Sequence, residues 1–205
     1  MSRLRAGDEL AFRALVSHHH SAMRRLALSF VPSVAVADEV VQETWLAVIR
    51  GIDRFEERSS LKTWIFCILV NRARARGARE RSTTPFSSLQ RPDEEQDGPA
   101  VDADRFLGSE HAFAGYWCSP PTRFFELPEE RVLAAETIGL IGRTIDELPE
   151  RQQQVIRLRD IEGMTSEEVC ECLGLTAAYQ RVLLHRARAR VRGALEAYLS
   201  EPVQA

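Results

Sequence analysis

The sequence predicts an all-α protein, built as two small helical domains joined by an acidic, proline-containing linker. Apolar residues recur three and four apart within 8–81 and again within 131–200, and no strand-type alternation persists. Between them, Pro85, Pro92, Pro99, Pro120, Pro121 and Pro128 stand among Ser, Gly and acids, which marks 82–130 as a linker. Charge follows the same division. Residues 1–91 hold 15 basic against 9 acidic side chains, 92–130 hold 2 against 10, and 131–205 hold 10 against 11.

In the first domain, helix one runs from about Asp8 to Phe30, where Pro32 follows. Leu10, Phe12, Leu15, Val16, Met23, Leu26 and Ala27 form its apolar stripe. A second helix begins near Val36–Asp38 and reaches about Ile52. Ala37, Val40, Val41, Thr44, Trp45, Val48 and Ile52 make its core side. Opposite lie Glu39, Gln42, Glu43, Leu46 and Arg50, placed on one face by their spacing. Ser59 or Ser60 caps a third helix, with Leu61, Trp64, Ile65, Ile68 and Leu69 inward. That helix runs on into the basic stretch from Asn71 to Arg81.

The second domain opens with helices at about 131–147 and 150–161, separated by Leu148-Pro149, and the latter ends at Gly163. Thr165-Ser166-Glu167-Glu168 is a capping box that starts a short helix to Leu173. Gly174-Leu175-Thr176 then makes a tight turn with Thr176 as N-cap, before a long helix from Ala177 to about Leu199. A short helix, a glycine turn and a longer basic helix are the pattern of a helix-turn-helix.

Composition narrows the function classes. At 205 residues, 44% hydrophobic and 28% charged, the chain has the make-up of an ordinary soluble protein. Its apolar runs, such as Trp64 to Val70, fall far short of the roughly 20 residues a membrane span needs. Asp8, Glu9 and His18-His19-His20 interrupt any signal-peptide core in the first 20 residues, so the cytoplasm is the expected compartment. Four cysteines are too few and too scattered for a disulfide framework. Cys170 and Cys172 point to different sides of a helix, which favours ordinary buried thiols over a metal site. The three histidines diverge by about 100° each and read as surface polar sequence. No phosphate-binding glycine loop, nucleophile elbow or acid–base pair stands out, so neither an enzyme nor a cofactor is expected.

Nucleic acid is the partner that the arginines favour. Lys62 is the sole lysine, and Arg suits phosphate and guanine because its fork is bidentate. A recognition helix enters the major groove by its N-terminal part. That makes Thr176, Ala177, Ala178, Tyr179, Gln180, Arg181 and His185 candidates for base edges, and places Arg186, Arg188, Arg190 and Arg192 nearer phosphates. Val182, Leu183, Ala187, Val191 and Leu195 are expected on the side facing the preceding helices. The loop from Asp53 to Ser60 and the basic end beyond it suit an unstacked single strand, although charge runs are more often solvated faces. The stripe from Glu39 to Arg50 reads equally as a solvent face or a partner surface, and Leu46 tips it towards a partner.

Two segments resemble a known family. Asp38-Glu39-Val40-Val41-Gln42-Glu43-Thr44-Trp45-Leu46, with Phe55 and then Leu61-Lys62-Thr63-Trp64-Ile65 and Asn71-Arg72, resembles the second conserved region of sigma-70 factors of the extracytoplasmic-function group. The stretches Leu148 to Gln152, Leu158 to Thr165, Glu167 to Val169, Leu173 to Leu175 and Leu184 to Arg188 are similar to the fourth region. The resemblance implies a non-enzymatic subunit that binds core RNA polymerase and directs it to promoter DNA. It implies that Asp38, Glu39, Gln42, Glu43 and Leu46 dock on the polymerase clamp helices. Arg58, Ser60, Lys62, Trp64, Asn71, Arg72, Arg76 and Arg79 would serve the minus-ten element. Thr176, Ala178, Tyr179, Gln180, Arg181, His185, Arg186 and Arg188 would serve the minus-thirty-five element, and an anti-sigma factor is an expected partner. The start of the recognition helix departs from the Ser-Glu-Gly-Thr-Val-Lys type common in the family. The linker, with Tyr116-Trp117-Cys118, is longer than in many members. Two rivals stand beside this reading: an autonomous helix-turn-helix regulator and a helical adaptor that binds only protein.

Overall fold

The computed structural model describes residues 1–82 and 135–200, and every described element is a helix or a turn. The expected linker, with Trp117, Phe124 and Phe125, lies outside the described residues. The chain divides into two compact units that do not follow chain order. One is Met1–Gln90 with Arg157–Gln180, the other Arg91–Ile156 with Arg181–Ala205.

In the first unit a short helix not foreseen from periodicity, α1 (Ser2–Arg5), precedes α2 (Glu9–Leu28). Asp8 caps α2 by accepting from the Ala11 amide at 3.1 Å. Helix α3 (Val34–Gly51) starts earlier than the apolar pattern implies because Ser33 caps it, accepting from the Val36 amide at 3.3 Å. One 3₁₀ turn, Ile52–Arg54, leads away from α3. Helix α4 (Leu61–Ser82) is capped by Ser60, whose Oγ accepts from the Thr63 amide at 3.0 Å. That settles the choice between Ser59 and Ser60.

The three long helices share one apolar core. Met23, Leu26 and Ala27 of α2, Val40, Val41 and Val48 of α3, and Ile65, Phe66, Leu69 and Val70 of α4 are all at most 2% exposed. Gly77 allows α4 to pass the end of α2, because a Cβ there would collide with the Phe30 carbonyl oxygen. The same unit contains a π turn, Arg157–Ile161, and α7 (Ser166–Leu173), which packs against α4. A bond from the Glu162 amide to the Arg157 carbonyl, 2.8 Å, closes the π turn.

The second unit contains α5 (Ala135–Asp146), α6 (Glu150–Ile156) and the part of α8 (Ala177–Ser200) beyond Gln180. Ile145, Leu148, Val155, Ile156, Leu183, Leu184 and Ala187 are buried within the chain. The Tyr198 hydroxyl donates to Glu136 at 2.9 Å, which ties the end of α8 to the start of α5.

Candidate functional site

The α3 stripe and the basic end of α4 lie side by side. Glu39, Gln42 and Glu43 are exposed, and Leu46 keeps 52% of its surface in solvent. Asp38 is set apart from them, half-buried and ion-paired with Arg24 at 2.8 Å. Arg76 donates to Glu39 at 2.9 Å and Arg72 to Glu43 at 3.2 Å. Residues expected to meet a protein partner thus neutralise residues expected to meet DNA. Asn71, just before this pair of arginines, and Arg79, just after it, are exposed on the same helix. Ile49, at 51% exposure, extends the apolar part of the stripe, a residue the sequence reading did not single out.

Trp64 is not free to receive a base in this arrangement. Its ring lies on Phe55 with centroids 4.9 Å apart, and also against Gly51. Arg58 is exposed and paired with Glu56 through Nε at 2.6 Å, while Ser60 is engaged as the α4 cap. The loop between α3 and α4 therefore presents its charges outward and keeps its aromatic residues packed.

The helix-turn-helix forms locally as its sequence dictates. The Thr165 hydroxyl accepts from the Glu168 amide at 3.2 Å, and Glu168 accepts from the Thr165 amide at 2.8 Å. The Thr165 amide, and next the Thr63 and Thr165 hydroxyls, hold the Glu168 carboxyl below its ordinary range against partial desolvation. Gly174 ends α7 in the left-handed region at φ 64°. Thr176 caps α8, accepting from the Tyr179 amide at 3.3 Å.

Burial along α8 revises two expectations. Gln180 is fully buried with neither amide atom hydrogen-bonded, so it is not on the surface that would meet a base. Val182, expected inside, is 44% exposed beside Tyr179 at 43%. The buried series Gln180, Leu183, Leu184 and Ala187 follows the 3.6-residue period and sets the phase of the helix. Ala178, Arg181, His185 and Arg188 remain exposed with Thr176, and Arg186 is half-buried.

A further set of contacts joins α4 to the segment that begins the helix-turn-helix. Lys62 pairs with the Glu162 carboxylate at 2.9 Å and also donates to its carbonyl. The Thr63 hydroxyl donates to Glu168 at 2.8 Å, and Arg74 donates to the Leu173 carbonyl at 2.7 Å. Arg74 thereby satisfies a carbonyl at the end of α7, where the helix dipole favours a cation. Cys67 and Cys172 form a disulfide across the same contact, with Cα atoms 5.0 Å apart. This overturns the expectation of free buried thiols. Among the described cysteines, Cys170 alone matches it in part, as a half-buried free thiol.

A helical bundle ending in arginines, followed along the chain by a helix-turn-helix, has the make-up of a DNA-binding protein. Residues 15–83 match the family model for Sigma-70 region 2, and residues 138–191 match that for Sigma-70, region 4. The ECF RNA polymerase sigma-E factor of Escherichia coli strain K12 is 29% identical over 188 residues, covering 92% of this chain and 88% of its own. The RNA polymerase sigma-H factor of Pseudomonas aeruginosa is 29% identical over 205 residues, covering 98% and 94%. Among solved structures, the sigma factor RpoE of Bartonella quintana, in complex with the anti-sigma factor NepR, shares the fold. Its TM-score is 0.53 at 20% identity, over 91% of this chain and 97% of that one. The chain belongs to the sigma-70 family, in its extracytoplasmic-function group. It is an RNA polymerase sigma factor, a non-enzymatic subunit that brings core polymerase to promoter DNA. Among the described residues no helix is long and apolar enough to cross a membrane.

Proposed function

We propose that the factor divides its labour between the α3 stripe, the α4 end and the helix-turn-helix. Glu39, Gln42, Glu43 and Leu46, with Asp38 at the margin, dock on the polymerase. The loop before α4 and the residues Arg58, Lys62, Trp64, Asn71, Arg72, Arg76 and Arg79 serve the minus-ten element. Thr176, Ala178, Tyr179, Arg181 and His185 read the minus-thirty-five duplex, with Arg186 and Arg188 nearer phosphates. The observation that carries this reading is the match of both conserved regions, in order, to one chain. The factor works in the cytoplasm, and an anti-sigma protein restrains it. Support for that partner comes from the structural neighbour, which is itself bound to one.

In-vitro transcription with purified core polymerase on a pool of genomic promoter fragments tests the reading. Protein-dependent start sites that share two spaced elements are expected. Replacing Arg181 by Ala should weaken promoter binding by about 1–3 kcal/mol through a lost bidentate base contact, whereas Arg186→Ala should weaken binding to all sequences alike. Unchanged selection by the Arg181→Ala variant removes that residue from base reading. Failure to bind core polymerase at all would favour an autonomous regulator or an adaptor.

A further inference from the structure

We propose that Cys67 and Cys172 form a redox latch that, when oxidised, keeps the factor from engaging both promoter elements at once. The two residues stand 105 positions apart in sequence, one on α4 and the other on the first helix of the helix-turn-helix. Their Cα separation of 5.0 Å lies within the usual range for a bridge. Around the bond, Lys62–Glu162, Thr63–Glu168 and Arg74–Leu173 align the same two elements without covalent help. Reduction leaves a contact held by these polar bonds and by the burial of Val169 and Leu173, without a covalent tie, and on our proposal it then opens.

Distance supplies the consequence. The minus-ten and minus-thirty-five elements are centred about 25 base pairs apart, on the order of 80 Å of duplex at about 3.4 Å per pair. With the latch closed, residues 62 to 79 of α4 lie within about 20 Å of Cys67 along the helix, at about 1.5 Å per residue. Thr176 and Tyr179 follow Cys172 by only a few residues. The two sets of readers cannot then span the distance. This step rests on the promoter assignments proposed above.

The chemistry balances with a hydroperoxide as oxidant and a dithiol as reductant. Cys67 is half-buried and Cys172 is 5% exposed, so the Cys67 sulfur is the accessible one. Its thiolate attacks the peroxide, the O–O bond breaks, and with one proton taken up a sulfenic acid and water result. The Cys172 thiol then attacks the sulfenic sulfur, forming the S–S bond and releasing a second water. Overall, two thiols lose two electrons and two hydrogens as one peroxide becomes two waters. For reopening, a dithiol attacks at Cys67, expels the Cys172 thiolate, and its second thiol then frees Cys67. Cys170 is two residues from Cys172 on the same helix and points to a different side, so it serves as an internal control.

The test uses the full chain, treated with hydrogen peroxide or with dithiothreitol. Mass spectrometry of the non-reduced digest should find the Cys67–Cys172 peptide pair only after peroxide. Amide exchange over Ser166–Leu173 should speed up at least tenfold on reduction. Transcription with core polymerase, on promoters selected with the reduced protein, should fall at least tenfold on oxidation and return with dithiothreitol. Cys67→Ser and Cys172→Ser should each be insensitive to peroxide, while Cys170→Ser should keep the wild-type response. Absence of the cross-link after peroxide overturns the latch, as does an oxidised protein as active as the reduced one. Redox-dependent exchange in a reduced protein that gives no transcription would instead sink the promoter assignments and leave the latch standing.

Discussion

His19 sits where the bundle core meets the segment before α7. Its ring is 8% exposed and lies edge-on to Phe66, with centroids 6.0 Å apart. Burial, and next the neighbouring His18, lower its pKa below the ordinary 6.5; Glu162 opposes this and Lys62 adds to it. A folded-state pKa below the unfolded one means that protonation favours unfolding. The stability His19 contributes is complete above about pH 6.5 and is lost as pH falls below that value. The thermal midpoint should therefore drop between pH 7 and pH 5, and His19→Phe should flatten that decline. Glu168 acts in a separate, more acidic window: its lowered pKa makes its contribution vanish only as pH falls below the ordinary carboxylate range. Gln180 offers a second residue-scale prediction. A fully buried amide without hydrogen bonds costs about 1–3 kcal/mol in desolvation, so Gln180→Met should leave stability unchanged or raise it. Promoter selection should not change in that variant. A relaxed selection measured on a randomised minus-thirty-five library would return Gln180 to the reading surface.

At the scale of elements, α3 and α4 present one mixed-charge face. Glu39–Arg76 and Glu43–Arg72 are exposed or half-exposed pairs, each worth about 0.2–1 kcal/mol, so a partner can displace them cheaply. The double variant with Glu39→Arg and Gln42→Arg should lower core-polymerase capture at least tenfold in a pull-down while the thermal midpoint holds. Capture equal to wild type would move the docking surface elsewhere on the molecule. The helices themselves are legible because their apolar residues recur at helical spacing and caps stand at Ser60, Thr165 and Thr176, whereas the start of α3 is set by Ser33, outside its apolar pattern. Polarity alone misplaces the phase of α8, since it puts Gln180 outward and Val182 inward. The run Gln180, Leu183, Leu184, Ala187 already carried the 3.6 period. The Cys67–Cys172 bond is not legible in the sequence, because no local pattern links positions 105 apart. The Arg74 bond to Leu173 was hidden for the same reason, since a carbonyl left open at one helix end says nothing of which distant arginine will fill it.

For the whole molecule, net charge conceals the arrangement that governs DNA binding. The chain carries 27 basic and 30 acidic side chains, yet 10 of the acids fall in 92–130 against only 2 bases. Ionic contact with duplex phosphates depends on the total field at long range and on local arginines at short range. The acids of 92–130 are expected to cancel long-range attraction of the free factor to random DNA, leaving the contacts proposed for the arginines of α4 and α8 to act once polymerase has set them in place. Changing six of the acids between 92 and 130 to Asn or Gln takes the formal net charge from −3 to about +3. The free variant should then bind random duplex roughly tenfold more tightly in low salt. The gain should shrink towards nothing near 0.5 M salt, where the screening length falls to a few ångströms. Fluorescence anisotropy of a labelled random duplex, titrated at several salt concentrations, measures both. Equal binding by variant and parent in low salt would mean that the acids do not screen the arginines. A gain that persists in high salt would assign the change to direct contacts by the new side chains, rather than to the field of the chain as a whole.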